Sequence, residues 1–246
     1  MTLACDSLGL ERGGAQVLEA VSASFAPGQI TAICGPNGAG KSSLLMALAG
    51  LLMAESGAVS LAGASLASIH PQDRARRIGY LPQEAVVAWD VAVENVVRLG
   101  RMPWRDRGVE AVERAIATLD LQDLRHRPVS HLSGGEKARA LLARVLAGEP
   151  EWILADEPLA ALDLGHQLAL MRNLHDAAAQ GAGVVLVLHD LAMAMNHADR
   201  VLVLDQGRAV ADGAPEQALS PEVIAQVWGV TGKWLGQPGA RALVTS

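Results

Sequence analysis

Residues 35–42 read Gly35-Pro36-Asn37-Gly38-Ala39-Gly40-Lys41-Ser42, and this stretch fits the pattern G-x-x-x-x-G-K-[ST] of a phosphate-binding loop. Residues 29–34, just before it, are apolar and β-branched, which predicts a buried strand. Residues 43–50, just after it, have a helical pattern that stops at a glycine. A strand, a glycine loop and a helix in this order are the context that the pattern requires. The stretch therefore predicts a site for a nucleotide.

The residue types in this phosphate loop (residues 35–42) suit the binding of phosphate groups. Glycines let the backbone curl, so that successive N–H groups converge on phosphate oxygens. The positive end of the following helix adds to that field. Lys41 supplies a mobile charge for the β- and γ-phosphates, and the Ser42 hydroxyl is placed to ligate Mg²⁺.

Composition excludes several other classes of protein. The chain has 246 residues, enough for one large domain or a domain with a lobe. It is 50% hydrophobic, but no window of about 18 residues is free of charge, so no membrane span is predicted. The first residues lack the pattern of a secretory signal. A net charge of −6 argues against a general nucleic-acid binder, and the two cysteines predict neither a disulfide framework nor a metal site.

Short strands and amphipathic helices flank the phosphate loop. Residues 3–10, 15–25 and 55–63 have strand patterns separated by Gly and Pro turns, which predicts an antiparallel β region beside the phosphate-loop strand. Residues 90–128 have helical patterns interrupted by Gly100-Arg101-Met102-Pro103-Trp104. The cluster Arg74, Arg76 and Arg77 is most simply interpreted as a solvated helix face. Residues 184–188 form the clearest buried strand.

Ser133-Gly134-Gly135 precedes a strongly helical stretch, residues 138–146. A Ser-Gly-Gly turn at the start of a helix can bind an anion, or it can be an ordinary helix cap. Taken alone, the cap is the simpler interpretation. Its position shortly before the acidic residue Asp156 favours anion binding.

Polar residues follow three predicted core strands. Residues 152–157 are an apolar strand that ends in Asp156 and Glu157, and because neighbouring strand residues point to opposite faces, the two acids can have different roles. Asp156 is predicted to hold Mg²⁺ through the waters of the ion, and Glu157 to polarise a water for attack on the γ-phosphate. His189 follows residues 184–188, at the strand end where ligands bind in open α/β sheets, and Gln83 follows residues 78–81.

The ordered set of these motifs resembles the ATP-binding cassette (ABC) ATPases, and the resemblance covers nearly the whole chain. The phosphate loop is similar to Walker A, Gln83 to the Q-loop and residues 132–136 to the signature. Residues 153–157 are similar to Walker B, residues 160–163 to the D-loop and His189 to the switch histidine.

The resemblance implies an α/β fold: a P-loop NTPase (RecA-like) core with an antiparallel β subdomain and an inserted α-helical signature subdomain. Residues 1–246 would form a single ABC ATPase domain. Residues 1–83 and 151–246 would form the core and the β subdomain, and residues 84–150 the helical subdomain.

The same resemblance implies a role for each candidate residue. Glu157 would be the general base, His189 would grip the γ-phosphate, and Gln83 would sense the attacking water; these are the candidate catalytic residues. ATP would be bound by residues of the phosphate loop with Ser43, by Asp163, and across a head-to-tail dimer by the signature of a second copy. Those residues are Gly35, Pro36, Asn37, Gly38, Ala39, Gly40, Lys41, Ser42, Ser43, Ser133, Gly134, Gly135 and Asp163. Mg²⁺ would be held by Ser42, Gln83 and Asp156.

Two positions depart from the family pattern. The family has an aromatic residue that stacks on adenine about 23 residues before the phosphate loop, and here that place falls at Glu11-Arg12. The planar guanidinium of Arg12 is the predicted substitute. The D-loop usually begins with Ser, and Ala160 replaces it, which removes a hydroxyl from the predicted dimer interface.

The stretches at residues 73–83 and 99–103 resemble importers for iron–siderophore, haem and vitamin B12. The implied partners are a second ATPase subunit, a membrane permease docking on the helical lobe and, indirectly, a periplasmic or extracellular substrate-binding protein. The implied location is the cytoplasmic face of the membrane, as a peripheral subunit. If residues 84–104 dock the permease, charge reversal at Arg101 should impair assembly and spare ATPase activity.

Alternatives remain at this point. One is an ABC ATPase outside transport, such as an iron–sulfur-cluster assembly ATPase. Another is a module that binds ATP without turnover, against which Glu157 and His189 argue. The sequence is also compatible with export and with a different cargo, because the permease determines the direction of transport and the cargo.

Overall fold

The computed structural model describes residues 2–83, 90–160 and 162–245. Within these ranges the strands, β1 to β12 in chain order, are Leu3–Arg12, Ala15–Phe25, Ile30–Cys34, Ser56–Leu61, Ala64–Ser65, Ile78–Leu81, Trp152–Asp156, Gly183–Val187, Arg200–Asp205, Arg208–Gly213, Gly232–Leu235 and Ala242–Thr245. The α-helices, α1 to α9, are Lys41–Leu48, Pro71–Arg77, Val93–Arg98, Val109–Thr118, Gly134–Ala147, Leu164–Ala179, Leu191–His197, Pro215–Ala218 and Pro221–Trp228. Short 3₁₀ segments lie at 66–68, 99–104, 122–124 and 129–131.

The central layer is a six-stranded sheet in the order β10-β9-β3-β8-β7-β6. Every pair from β9 to β6 is parallel, and β10 is antiparallel to β9. Strands β3, β7 and β8 are buried at every residue, which explains their continuous apolar sequences, because helices cover both faces of a parallel sheet.

A second sheet, in the order β2-β1-β4-β5, is antiparallel and separate from the central one. The antiparallel region was predicted, but it does not pair with the phosphate-loop strand: β3 pairs with β8 and β9 instead. Helix α1 lies between the two sheets, and its buried residues Leu44, Leu45 and Leu48 pack against both. The phosphate loop is thus fixed at the junction of two sheets.

The opposite face of the central sheet packs against helices. Val184 and Leu186 of β8 join this helical core, whereas Val185 and Val187 join the core around α1. This alternation follows from the two-residue period of a strand. Helices α3, α4 and α5 lie in sequence between β6 and β7, which agrees with the predicted insertion. Residues 84–89 of the predicted helical subdomain lie outside the described residues, and the division into subdomains stays a prediction.

Two predictions about arginines are wrong. Arg101 is 6% exposed, pairs with Asp106 and Glu149, and donates to the Ala147 carbonyl, so its charge faces the interior and not a docking partner. The cluster on α2 is half-buried, not a solvated face. Arg76 donates to the Pro103 carbonyl, and Arg77 pairs with Glu151 at 2.9 Å.

The chain ends in a hairpin of β11 and β12, where the sequence predicted only a weak apolar segment. Trp234 donates its indole N–H to the Leu219 carbonyl, and Asn196 of α7 makes hydrogen bonds with both the backbone N–H and the carbonyl of Arg241. These contacts fasten the hairpin to the core. None of the helices in the described ranges combines the length and the apolar character that a membrane crossing demands.

Candidate functional site

Four neighbouring parallel strands bring the predicted site residues to one edge of the central sheet. The order β3-β8-β7-β6 places their carboxyl ends side by side. The phosphate loop follows β3, His189 follows β8, Asp156 ends β7, and Gln83 follows β6. In an open α/β sheet this edge forms the ligand-binding crevice.

The phosphate loop needs glycine at two crowded positions. Gly35 has φ of +151°, and a Cβ there would lie 2.1 Å from the Leu204 carbonyl oxygen. Gly40 has φ of +95°, and a Cβ there would lie 2.6 Å from the Val17 carbonyl oxygen. A side chain at either position would collide with backbone, so the loop conformation itself requires glycine.

The other residues of the phosphate loop, and Ser43 after it, differ in their exposure. Asn37 and Gly38 are exposed, Pro36 and Ser42 are half-buried, and Ala39 and Ser43 are buried. The Ala39 amide donates to the Pro36 carbonyl at 3.2 Å, which closes the turn.

Lys41 is buried at the start of α1. Its ammonium donates to the carbonyl oxygens of Gly35 at 2.9 Å and Pro36 at 2.8 Å, so the loop holds the charge over its own backbone. Burial lowers the pKa of Lys41, although the carboxyl group of Glu157 acts in the opposite direction. Phosphate oxygens would be better partners than neutral carbonyls, because charge-assisted hydrogen bonds are stronger.

Ser42 and Asp156 meet across 114 residues of sequence: the Ser42 hydroxyl donates to Asp156 Oδ1 at 3.0 Å. Asp156 is 4% exposed, and burial raises the pKa of its carboxyl group. Two oxygens about 3 Å apart match adjacent corners of an octahedron with metal–oxygen distances of about 2.1 Å. This donor set therefore fits Mg²⁺.

Glu157 is the centre of a second cluster. Gln83 Nε2 donates to Glu157 Oε2 at 2.7 Å, and His189 Nε2 lies 2.5 Å from Glu157 Oε1. Only 12% of the Glu157 side chain is exposed, against 44% for His189. The structure thus brings together the three residues predicted to be catalytic.

Other predicted site residues lie on different elements. Ser133 caps α5: its hydroxyl accepts from the Glu136 amide, and its amide donates to the Glu136 carboxylate at 2.8 Å. Ser133 and Gly134 are exposed, and Gly135 is half-buried. Helix capping and anion binding are both compatible with the structure, because the capped turn is exposed to solvent.

Asp163 is exposed at the start of α6, and Ala161 before it lies outside the described residues. The Asp163 carboxylate caps α6 by accepting from the His166 amide at 2.9 Å, and this bond lowers the pKa of the carboxyl group. Arg12 is exposed at the end of β1, opposite Ala15 of β2.

His166 is a further residue near these two elements, and no motif in the sequence points to it. Its ring nitrogen Nδ1 lies 2.8 Å from Asp163 Oδ1, and its ring lies against Gly135. In the sequence, Asp163 directly precedes a predicted helix, and an Asp at that place accepts a hydrogen bond from the backbone N–H three residues later. This pattern involves the His166 amide but does not single out its ring. The contact with Gly135 has no local signal, because the two residues lie on different helices.

The fold and the loop around Lys41 define a P-loop nucleoside triphosphatase, as predicted. The sequence model of the ABC transporter family matches residues 18–160, more than half of the chain, and the chain belongs to this family. It is an enzyme that binds ATP and hydrolyses it, which confirms the predicted class.

Individual relatives cover almost the whole chain. The hemin import ATP-binding protein HmuV of Rhodococcus jostii (strain RHA1) is 44% identical over 93% of this chain and 80% of its own length. The protein of the same name from Myxococcus xanthus (strain DK1622) is 41% identical over 97% of this chain and 95% of its own length.

Solved structures confirm the fold. The ATP-binding subunit of an ABC transporter superposes with a TM-score of 0.80 at 27% identity, covering 93% of this chain and 94% of that subunit. A transporter described as being of the metal-chelate type, in an inward-facing conformation, gives a TM-score of 0.84 at 25% identity, covering 100% of this chain and 97% of that one.

Proposed function

We propose that this chain energises an importer of haem, with ATP bound by the phosphate loop and hydrolysed beside Glu157. The observation that carries the catalytic part is the Gln83–Glu157–His189 cluster, which lies at the same sheet edge as the phosphate loop. The cargo is supported by the relatives named for hemin import, two of which match more than nine-tenths of the chain.

Lys41 and the phosphate-loop amides would bind the β- and γ-phosphates. Ser42 and Asp156 would hold Mg²⁺, joined by Gln83, and the ion would offset the negative charge of the phosphates. Glu157 would accept a proton from the attacking water. Its two hydrogen bonds fix the carboxylate in one orientation, and His189 would contact the γ-phosphate from the neighbouring strand end.

Ser133, Gly134 and Gly135 would act on the nucleotide of a second copy, in a head-to-tail dimer. Support comes from the exposure of Ser133 and Gly134 at the start of α5, where the helix dipole suits an anion. Asp163 would border the same interface, and Arg12 would stack on the adenine of its own site.

The subunit would work at the cytoplasmic face of the membrane, bound to a permease that a substrate-binding protein supplies with haem. The chain would not contact the haem itself, because the cargo passes through the permease. The described residues 90–104 and the region around α2 would then face the permease, and Arg101 would act inside the fold.

Glu157→Gln tests the catalytic part. The amide cannot take a proton from water, so we expect turnover to fall by at least about 100-fold while ATP affinity persists. Lys41→Ala should instead lose ATP binding. Steady-state phosphate release and binding of a fluorescent ATP analogue separate the two effects. Glu110→Gln, at a side chain 94% exposed on α4, is the matched control. Undiminished turnover in Glu157→Gln would reject Glu157 as the base.

The cargo is tested by purifying the native protein from membranes in mild detergent and identifying what accompanies it. A permease, reconstituted with this subunit, should transport haem in an ATP-dependent manner. Transport of a siderophore or of cobalamin would correct the cargo. Soluble scaffold proteins without a permease would favour the cluster-assembly alternative.

A further inference from the structure

His166 is held by its own helix start in one orientation. Asp163 Oδ1 accepts two hydrogen bonds from this single residue, one from the His166 amide at 2.9 Å and one from ring Nδ1 at 2.8 Å. A carboxylate only accepts, so Nδ1 carries the proton. The second bond fixes the ring against rotation, which a simple helix cap does not need.

The ring so fixed lies against Gly135. A Cβ added to Gly135 would come within 3.1 Å of His166 Cδ2, 3.2 Å of Cγ and 3.3 Å of Nδ1. Three consecutive ring atoms at nearly the same distance mean that the imidazole occupies the space that a side chain at position 135 would take. A methyl group at position 135 would therefore push against the ring, whereas glycine leaves the ring in place.

The other side of the contact is also fixed. Ser133 and Glu136 form a reciprocal capping box, and Arg127 lies 3.7 Å from the Glu136 carboxylate. The starts of α5 and α6 are therefore each closed by their own caps, and the His166 ring is a contact that joins them. Any shift of the signature turn relative to Asp163 would have to move this ring.

We propose that His166 is a positioning residue that fixes the spacing between the signature turn (residues 133–135) and Asp163. Both elements would then meet the nucleotide of a second copy as one rigid unit. This inference rests on the proposed head-to-tail site. His166 acts through Gly135 and Asp163, and it has no role in the binding of ATP by the phosphate loop of its own chain.

The first test is His166→Ala. We expect kcat for ATP hydrolysis to fall roughly tenfold or more, because small misplacements of a contacting group are costly, while ATP affinity of the single chain stays unchanged. In a Glu157→Gln background the same substitution should weaken the ATP-induced dimer, measured by analytical ultracentrifugation. Unchanged kcat together with an unchanged dimer would overturn the proposal.

The contact itself is tested by a double-mutant cycle. Gly135→Ala should lower activity in the natural chain, because the methyl group pushes against the ring. In the His166→Ala background the ring is absent, so Gly135→Ala should lower kcat by a clearly smaller factor. Independent effects, whose fold-changes simply multiply, would show that the ring does not connect the two elements.

A control variant and a stability measurement separate the proposed role of His166 from other causes of a lower kcat. His175→Ala changes the same residue type on the same helix, more than two turns away, and should leave kcat unchanged. Thermal unfolding of each variant detects a general loss of stability. If the unsubstituted chain itself neither hydrolyses ATP nor dimerises with it, the proposed function fails. If the unsubstituted chain hydrolyses ATP and dimerises with it, and His166→Ala does both equally well, only the proposed role of His166 fails.

Discussion

Glu157 shows how much a single residue depends on its surroundings. Its backbone lies in the left-handed region, with φ of +49°, which a residue other than glycine seldom adopts. The amide of Glu157 donates to the Val187 carbonyl at 3.2 Å, so the turn is tied to the end of β8. Backbone strain of this kind persists where the surrounding structure over-determines it, often at functional sites. Here it accompanies a carboxylate that is held between Gln83 and His189.

The two cysteines give a prediction at the same scale. Burial raises the pKa of the Cys5 thiol to about 11 and that of the Cys34 thiol to about 12. Because the thiolate is the reactive form, neither should react with a disulfide reagent at pH 8 in the folded protein. Both should react after denaturation in urea, and thiol titration by absorbance checks this. Rapid labelling of a native thiol would contradict the burial of these residues.

Among the elements, the 3₁₀ segment at residues 99–104 makes contacts with several others. Arg101 pairs with Asp106 at 2.7 Å and Glu149 at 2.9 Å, and its guanidinium lies over the Trp104 ring. Arg76 lies over the same ring, 5.2 Å from its centroid. At Gly100 a Cβ would lie 2.0 Å from the Arg144 carbonyl oxygen, so the segment touches the backbone of α5. It therefore joins α2 to the end of α5.

Arg101→Met tests this element. Removing the guanidinium leaves the Ala147 carbonyl without its donor, while Asp106 and Glu149 can still reach water. We expect a loss of about 2 kcal/mol in the free energy of unfolding, below the cost for a fully buried pair. Urea denaturation measures it, with Arg107→Met at an exposed neighbouring site as the control. An effect as small as that of the control would argue against a structural role for Arg101.

In the whole molecule, the two groups of residues that the proposed ATP hydrolysis requires lie at different places in one chain. The phosphate loop and Glu157 lie at the carboxyl edge of the central sheet, whereas the signature turn lies at the exposed start of α5. The Ser133 side chain is already bonded within its own capping box. A second copy in a closed head-to-tail arrangement would complete each site twice.

Mixing two inactive variants tests this arrangement. A Lys41→Ala chain keeps its signature turn, and a Ser133→Arg chain keeps its phosphate loop. Random pairing makes half of the dimers mixed, each with one intact site, so about a quarter of the full ATPase activity should return. Phosphate release from the mixture is compared with that of each variant alone. No recovery would mean that each chain completes its own site.

The sequence by itself determined the local elements and the chemistry of their ends. The pattern around Lys41, the apolar strands and the acids Asp156 and Glu157 were all readable, because a strand, a glycine loop and a helix are each encoded by neighbouring residues. The tertiary structure decided which of these ends meet. Ser42 pairs with a residue 114 positions away, and Gln83 and His189 reach Glu157 across 74 and 32 positions. These contacts follow from the order of strands in the sheet, which local periodicity does not encode. For the same reason the sequence assigned Arg101 to a docking surface and overlooked His166: burial and contacts between helices exist only once the chain is packed.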